Sequence, residues 1–246
     1  MSWRKSRAQT REQRAKEALT CLKHAGHNPK SGLLLDLGCG RGYLTGYFLK
    51  QKIDAIGVDI SKKAIKDARR RIPDGIFICA DGTKLPFREG CFHTIILNDV
   101  LEHIPYNYGY SILSEMKRVL KDSGRIYISV ANRYQIREPH TRIPFLTWLP
   151  KRWWDTFCYR LTKGTRLKYG CYPYTVRDLR KLTEKVGLAC IDYTWLYAWN
   201  KLSNVELIGD PLLRSVVKVI KKFGLFKLAH VIAVKLSVIL FICQKK

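Results

Sequence analysis

The sequence predicts an α/β fold: an open, doubly wound, mostly parallel sheet of seven strands with helices on both faces. Three observations carry that expectation. Short apolar runs alternate with helix-length patterned stretches from residue 31 to about 130. A glycine cluster, Gly38, Gly40 and Gly42, lies between the first apolar run and the first helical stretch. Acidic residues then follow the later runs at Asp59, Asp81 and Asp99, where the loops at the carboxyl ends of parallel strands would converge.

Each element has its own signal. Residues 1–30 read as a basic helical arm with Arg4, Lys5, Arg7, Arg11, Arg14 and Lys16, ending at Gly26 and the Asn28-Pro29 break. Residues 31–246 then form the main domain. Strands are expected at 33–37, 53–59, 75–79, 93–98 and 124–130, with helices reaching to 51 and at 61–71 and 110–121. The rhythm stops at 131–172, a stretch rich in aromatics and bases that reads as a lid or binding insertion. A helix at 175–186 and a strand at 188–195 restore it. A second insertion, about 197–234, precedes a last strand at 236–243, expected to join the sheet antiparallel.

Composition narrows the class. An apolar fraction of 46% argues against disorder. Forty-five Lys and Arg against twenty Asp and Glu give a formal charge of +25, a field that attracts polyanions or anionic surfaces. Eight cysteines lack CxxC or metal-like spacing and read as reduced thiols in a cytosol. The N-terminus is basic without an apolar core, so no secretory signal is expected. The run 236–243 is far shorter than the roughly 20 residues of a membrane span. The expected location is cytoplasmic, with peripheral contact on an inner membrane face as an extension.

The run Asp36-Leu37-Gly38-Cys39-Gly40-Arg41-Gly42 follows a strand and opens a helix, the position of a Rossmann-like ligand loop. Free N–H groups at the helix start suit a carboxylate. Asp59, closing Gly57-Val58-Asp59, stands where an acidic group can accept two hydrogen bonds from a ribose diol. Ala80-Asp81-Gly82 offers an acceptor for an adenine amino group. Asp36, two positions before the first glycine, favours a methionine-type ligand over the pyrophosphate of a nicotinamide dinucleotide.

These residues, with Val58-Asp59-Ile60-Ser61, Leu85-Pro86-Phe87 and Asp99-Val100-Leu101-Glu102-His103-Ile104, resemble class I S-adenosylmethionine-dependent methyltransferases of the ubiquinone/menaquinone-biosynthesis type, over about residues 31–131. The resemblance implies S-adenosylmethionine as cofactor. It implies a methionine pocket shaped by Asp36, Gly38, Gly40 and Gly42, ribose contact at Asp59, adenine contact at Asp81 and Asn98 beside the sulfonium, with Cys39, Ile60 and Gly82 also among the cofactor-binding residues.

For chemistry, His103 follows the fourth strand at the mouth of the cleft and is the candidate base. His140, in Glu138-Pro139-His140-Thr141, is the insertion histidine able to fold over the site. Asp99-x-x-Glu102-His103 resembles the ExxEH cluster of metal-assisted O-methyltransferases, but its first residue is Asp and no metal is assigned. The absence of an Asn/Asp-Pro-Pro-Tyr motif argues against methylation of base amino groups. The expected reaction is methyl transfer to an oxygen or carbon of a small, hydrophobic or lipid-like acceptor. The alternative is RNA modification through the aromatic, basic insertion. Residues 212–228 carry a basic amphipathic pattern suited to an anionic membrane.

Overall fold

A computed structural model describes residues 2–138, 140–165, 168–203, 211–224 and 238–246. Its seven strands are β1 (Leu34–Leu37), β2 (Ala55–Asp59), β3 (Ile76–Cys79), β4 (Phe92–Asn98), β5 (Leu120–Val130), β6 (Leu188–Asp192) and β7 (Ile239–Lys245). They form one sheet in the order β3-β2-β1-β4-β5-β7-β6. β1 to β5 pair in parallel, while β7 runs antiparallel to both β5 and β6. The helices are α1 (Ser2–His24), α2 (Tyr43–Lys50), α3 (Lys62–Arg71), α4 (Tyr106–Val119), α5 (Trp154–Leu161), α6 (Val176–Val186), α7 (Thr194–Ser203) and α8 (Pro211–Lys222). The chain leaves β1 toward β2 on one side and returns to β4 on the other, so a crevice opens at the carboxyl ends of β1 and β4.

Strand periodicity assigns the two faces. Leu35, Ile95, Ile126 and Phe241 pack with Leu113 and Met116 of α4 and Leu179 of α6. Their chain neighbours Leu34, Ile96, Tyr127 and Ile242 face the other way, onto Phe48 of α2 and Ala15, Ala18 and Leu22 of α1. The C-terminal half of α1 is thus a layer of the core, although its sequence reads as a basic arm.

Four element boundaries depart from the sequence reading, and one is the start of β5, at Leu120 rather than 124, inside the expected end of α4. α4 begins at Tyr106, directly after Pro105, rather than at 110. β6 stops at Asp192, whose Oδ1 accepts a hydrogen bond from the Thr194 backbone N–H at 2.8 Å. Thr194 and Trp195 therefore start α7. β7 runs to Lys245, and residues 236–237 of the expected strand lie outside the described residues. The second insertion is described only in part, since 204–210 and 225–237 lie outside as well.

The expectation that all cysteines are reduced is corrected. Cys190 and Cys243 face each other across β6 and β7 and form a disulfide. The other six cysteines are not disulfide-bonded. A separation of 53 residues carries no spacing signal, and only the strand pairing brings the two together.

At the end of α1, His27 is buried with Nε2 2.8 Å from Thr94 Oγ1, its ring stacked on His93 at 4.4 Å. Burial first, then the neighbouring His93 and Arg125, push its pKa down to about 4. The unfolded chain takes up this proton near ~6.5. The stability this group contributes is therefore complete above about 6.5 and is lost as pH falls through the folded value, a span worth about 3 kcal/mol. Urea unfolding followed from pH 7 to 4 should show that loss. His27→Gln, which cannot titrate, should flatten that part of the curve; identical curves would refute the account.

Candidate active site

A cleft of about 2080 Å³ lies along the carboxyl edge of the sheet. A drug-sized ligand occupies roughly 300–1,000 Å³, so there is room for a nucleoside-sized molecule and a second reactant.

One end is built from backbone. Gly38 has φ +78°, and a Cβ there would stand 2.3 Å from Val100 Cγ2, so only glycine fits. The N–H groups of Gly38 and Cys39 donate to Val58 O at 2.7 and 3.0 Å, tying the loop after β1 to β2. Asp59 completes the tie: Oδ2 accepts from Gly40 N–H and Oδ1 from Ser61 N–H, both at 2.8 Å. Each oxygen keeps a lone pair for another donor. Beside it Ile60 is 70% exposed, an apolar surface at the rim with no protein cover. Asp81 Oδ1 accepts from the Thr83 N–H and hydroxyl, both at 2.8 Å, and Gly82 follows it along the cleft. At the end of β4, Asn98 Oδ1 accepts from Ser129 Oγ at 3.1 Å, while its Nδ2 is buried without a partner among the described residues.

Two of the sequence candidates do not line the cleft. Asp36 is buried beneath the glycine loop, where Thr45 Oγ1 donates to its carboxylate at 2.6 Å and burial pushes its pKa up to about 6. Gly42 serves packing at the start of α2: with φ +73°, a Cβ there would meet Phe77 at 2.8 Å. Cys39 lines the cleft while mostly buried, and burial pushes its thiol pKa up.

The other end is built from side chains of distant segments. Asp99 holds φ +52°, an uncommon conformation for a residue with a side chain. Its carboxylate accepts hydrogen bonds from Arg14 of α1 and from Ser129 Oγ. The pair is mostly shielded, with 28% and 19% of the two side chains exposed. Asp99 raises the Arg14 pKa above its usual value, and burial together with Asp99 raises that of the neighbouring Glu102. His103 follows, its ring edge-to-face with His140 at 4.7 Å between centroids and its Nδ1 3.8 Å from Cys171 Sγ. Burial first, and then the neighbouring His140, lower the His103 pKa.

Glu138 organises the turn that presents His140. Its buried carboxylate accepts from the backbone N–H of His140 at 2.8 Å, from that of Thr141, and from the Tyr169 hydroxyl at 3.1 Å. Ile143, Leu146, Trp154 and Tyr169 form a small core beneath it. Sequence reasoning missed Arg14, Glu138 and Cys171. Arg14 is hidden in a basic run, and the others acquire meaning only through contacts some 31 and 68 residues apart.

Comparison with known proteins agrees with this geometry. Residues 35–128 match the family model described as a methyltransferase domain. An uncharacterized protein of Methanocaldococcus jannaschii is 40% identical over 119 residues, covering 48% of this chain and 52% of that one. A demethylmenaquinone methyltransferase of Beutenbergia cavernae is 25% identical over 163 residues, covering 64% and 62%. The solved structure of a SAM-dependent methyltransferase from Archaeoglobus fulgidus has a TM-score of 0.54 and 16% identity over 94% of both chains, a likeness of fold. The chain spans about half to under two thirds of the length of these curated relatives. Over residues 35–128 the chain is thus similar to methyltransferase domains, and over a longer stretch to a demethylmenaquinone methyltransferase. Among the described residues no helix is long and apolar enough to cross a membrane.

The Arg14–Asp99 pair generates a prediction. Arg14→Met leaves the Asp99 carboxylate shielded beside Glu102 with its cation removed. Breaking a shielded pair from one side should cost about 3 kcal/mol in urea unfolding. Adding Asp99→Asn should recover part of that loss; strict additivity of the two changes would show that the residues are not coupled.

Proposed function

We propose that this protein transfers the methyl group of S-adenosylmethionine to an oxygen or carbon of a small, hydrophobic acceptor. The observation that carries the reading is one cleft lined both by the glycine loop and Asp59, at Gly38, Gly40 and Asp59, and by apolar and histidine side chains, at Ile104, Tyr108, Tyr169, His103 and His140.

The first end suits the cofactor. Asp59 would accept from the ribose hydroxyls with the lone pairs that Gly40 and Ser61 leave open. Ile60 would cover a face of the adenine, and Asp81 and Gly82 would meet its edge. The glycine loop would hold the methionine part above Asp36. The unpartnered Nδ2 of Asn98 is a buried donor that a bound molecule would satisfy, relieving a cost of about 1–3 kcal/mol. When bound, S-adenosylmethionine supplies an electrophilic methyl group on sulfur. The protein's task is to hold the acceptor in line with it and exclude water.

At the second end, His103 and His140 stand where the acceptor's reacting atom would have to come. A neutral imidazole there can take a proton from a hydroxyl or an acidic carbon. The demethylmenaquinone methyltransferase relative supports an acceptor of quinone-like size and polarity. The membrane reading of 212–228 finds limited support: α8 is helical to Lys222, but Val217 is buried rather than offered to a bilayer, and 225–228 lie outside the described residues. Phe223, 72% exposed, is the apolar residue left at its end.

Asp59→Ala should weaken S-adenosylmethionine binding by about 10- to 100-fold in calorimetry, the loss of two hydrogen bonds. Unchanged affinity would overturn the site. With labelled cofactor and fractionated cell extract, label should enter the organic-solvent fraction and be absent with Asp59→Ala. Label in RNA would replace the small-acceptor reading with the nucleic-acid one.

A further inference from the structure

We propose that His103, His140 and Cys171 form a binding site for a zinc-type divalent metal ion, with an open coordination position toward the acceptor end of the cleft. The assignment of that open position rests on the methyltransferase reading; the ion site itself does not.

The first argument is geometric. One ligand atom from each residue lies within 4.8 Å of the others, with Cys171 Sγ and His103 Nδ1 at 3.8 Å. Tetrahedral zinc with bonds of about 2.0–2.3 Å holds its ligand atoms roughly 3.3–3.8 Å apart. One pair already meets that separation, and the rest need to close by at most about 1.5 Å. The two imidazoles meet edge to face rather than stacked, which leaves their nitrogens able to converge on a point.

A second, independent observation points the same way. His140 Nε2 is buried with no hydrogen-bond partner among the described residues. An unsatisfied buried nitrogen costs about 1–3 kcal/mol, a cost that a bound ion, or a water on it, removes.

The three ligands also arrive on supported backbone. Glu138 fixes the turn carrying His140 and, through the Tyr169 hydroxyl, the segment that leads to Cys171. Tyr172 N–H donates to Glu102 O at 2.7 Å, pinning that segment against the loop carrying His103. Ligands held in this way need little reorganisation to bind.

Donor chemistry selects the ion. Two imidazoles and a thiolate suit zinc or cobalt(II) and are poor ligands for magnesium or calcium. The alternative ligand set around Asp99 is not gathered, because its carboxylate is engaged by Arg14 and Ser129. Three protein ligands and one open position are the pattern of a catalytic rather than a structural zinc. In that position a hydroxyl or enol of the acceptor would bind as its anion, its proton passing to solvent. The acceptor atom then forms a bond to the methyl carbon as the carbon–sulfur bond breaks, the electron pair staying on sulfur. His103 acts in this state as a ligand, not as a base.

The test uses the full chain, stripped with a chelator and titrated with cobalt(II). One equivalent should bind, with the intense visible bands of tetrahedral cobalt and a thiolate-to-cobalt charge-transfer band in the near ultraviolet. Cys171→Ser should remove the charge-transfer band, and His140→Ala should weaken zinc binding at least 10-fold in competition with a chromophoric chelator. Cys79→Ser, at an exposed cysteine away from the cluster, should leave both unchanged. Circular dichroism confirms that each variant folds. No binding in the wild-type chain, or a charge-transfer band that survives Cys171→Ser, would overturn the site. S-adenosylmethionine affinity is measured on the same samples: retained affinity without cobalt binding would refute the ion site alone, and cobalt binding without cofactor affinity would refute the methyltransferase reading alone.

Discussion

The cleft depends on how the end of β1 is tied to the end of β2. Two backbone N–H groups, from Gly38 and Cys39, converge on Val58 O, and the Asp59 carboxylate bridges Gly40 and Ser61. These bonds bend the chain sharply after β1, and the bend requires a residue without a side chain at Gly38, against Val100. Val100 lies just beyond β4, so the same contact sets how closely the third loop approaches the first. Parallel pairing of β1 with both β2 and β4 holds all three ends in register. Asp59 thus holds the loop whether or not a ligand is present, and any ligand-binding role is added to a structural one.

The opposite end of the cleft has a different logic. Its anchor is the Arg14–Asp99 contact, which joins α1 to the end of β4. With Ala15, Ala18, Cys21 and Leu22 buried against the sheet, Arg14 is delivered from a helix that is part of the core. A strongly basic run conceals this. In a stretch where nearly every turn carries Lys or Arg, charge does not tell a solvated residue from one paired inside. Only the apolar residues Ala15, Ala18 and Leu22, spaced three and four apart, mark the inner face.

What was legible followed from period and local chemistry. β1, β2 and β4 were readable because parallel strands inside a sheet appear as apolar runs, β3 because its four residues are apolar although it is an exposed edge strand, and the glycine loop because its residues act as neighbours in sequence. The start of α4 was obscured by the aromatic stretch Tyr106, Tyr108 and Tyr110, whose side chains do not form an apolar stripe; the preceding Pro105 was the better signal. Thr194 and Trp195 have strand-favouring side chains, yet the Asp192 carboxylate turns the chain and Thr194 Oγ1 accepts from Leu240 N–H, so local bonding overrode propensity. The Cys190–Cys243 bond and the place of Cys171 beside His103 and His140 were invisible for one reason: they are tertiary, and no spacing rule applies between segments that meet only through the fold.

This difference in legibility follows a difference in construction. The end at Gly38 and Asp59 is made of strand termini over the main core, where Leu35, Leu37, Val58, Ile95 and Leu97 are almost completely buried. Moving it means disrupting the sheet. The end at His103 and His140 is roofed by the 131–172 segment, whose own core is Ile143, Leu146, Trp154 and Tyr169, together with the Glu138 hydrogen bonds. So small an apolar core makes local opening there cost only a fraction of global unfolding. On the proposed reading, the rigid half would hold S-adenosylmethionine, and the weakly anchored half would carry the groups that meet the acceptor.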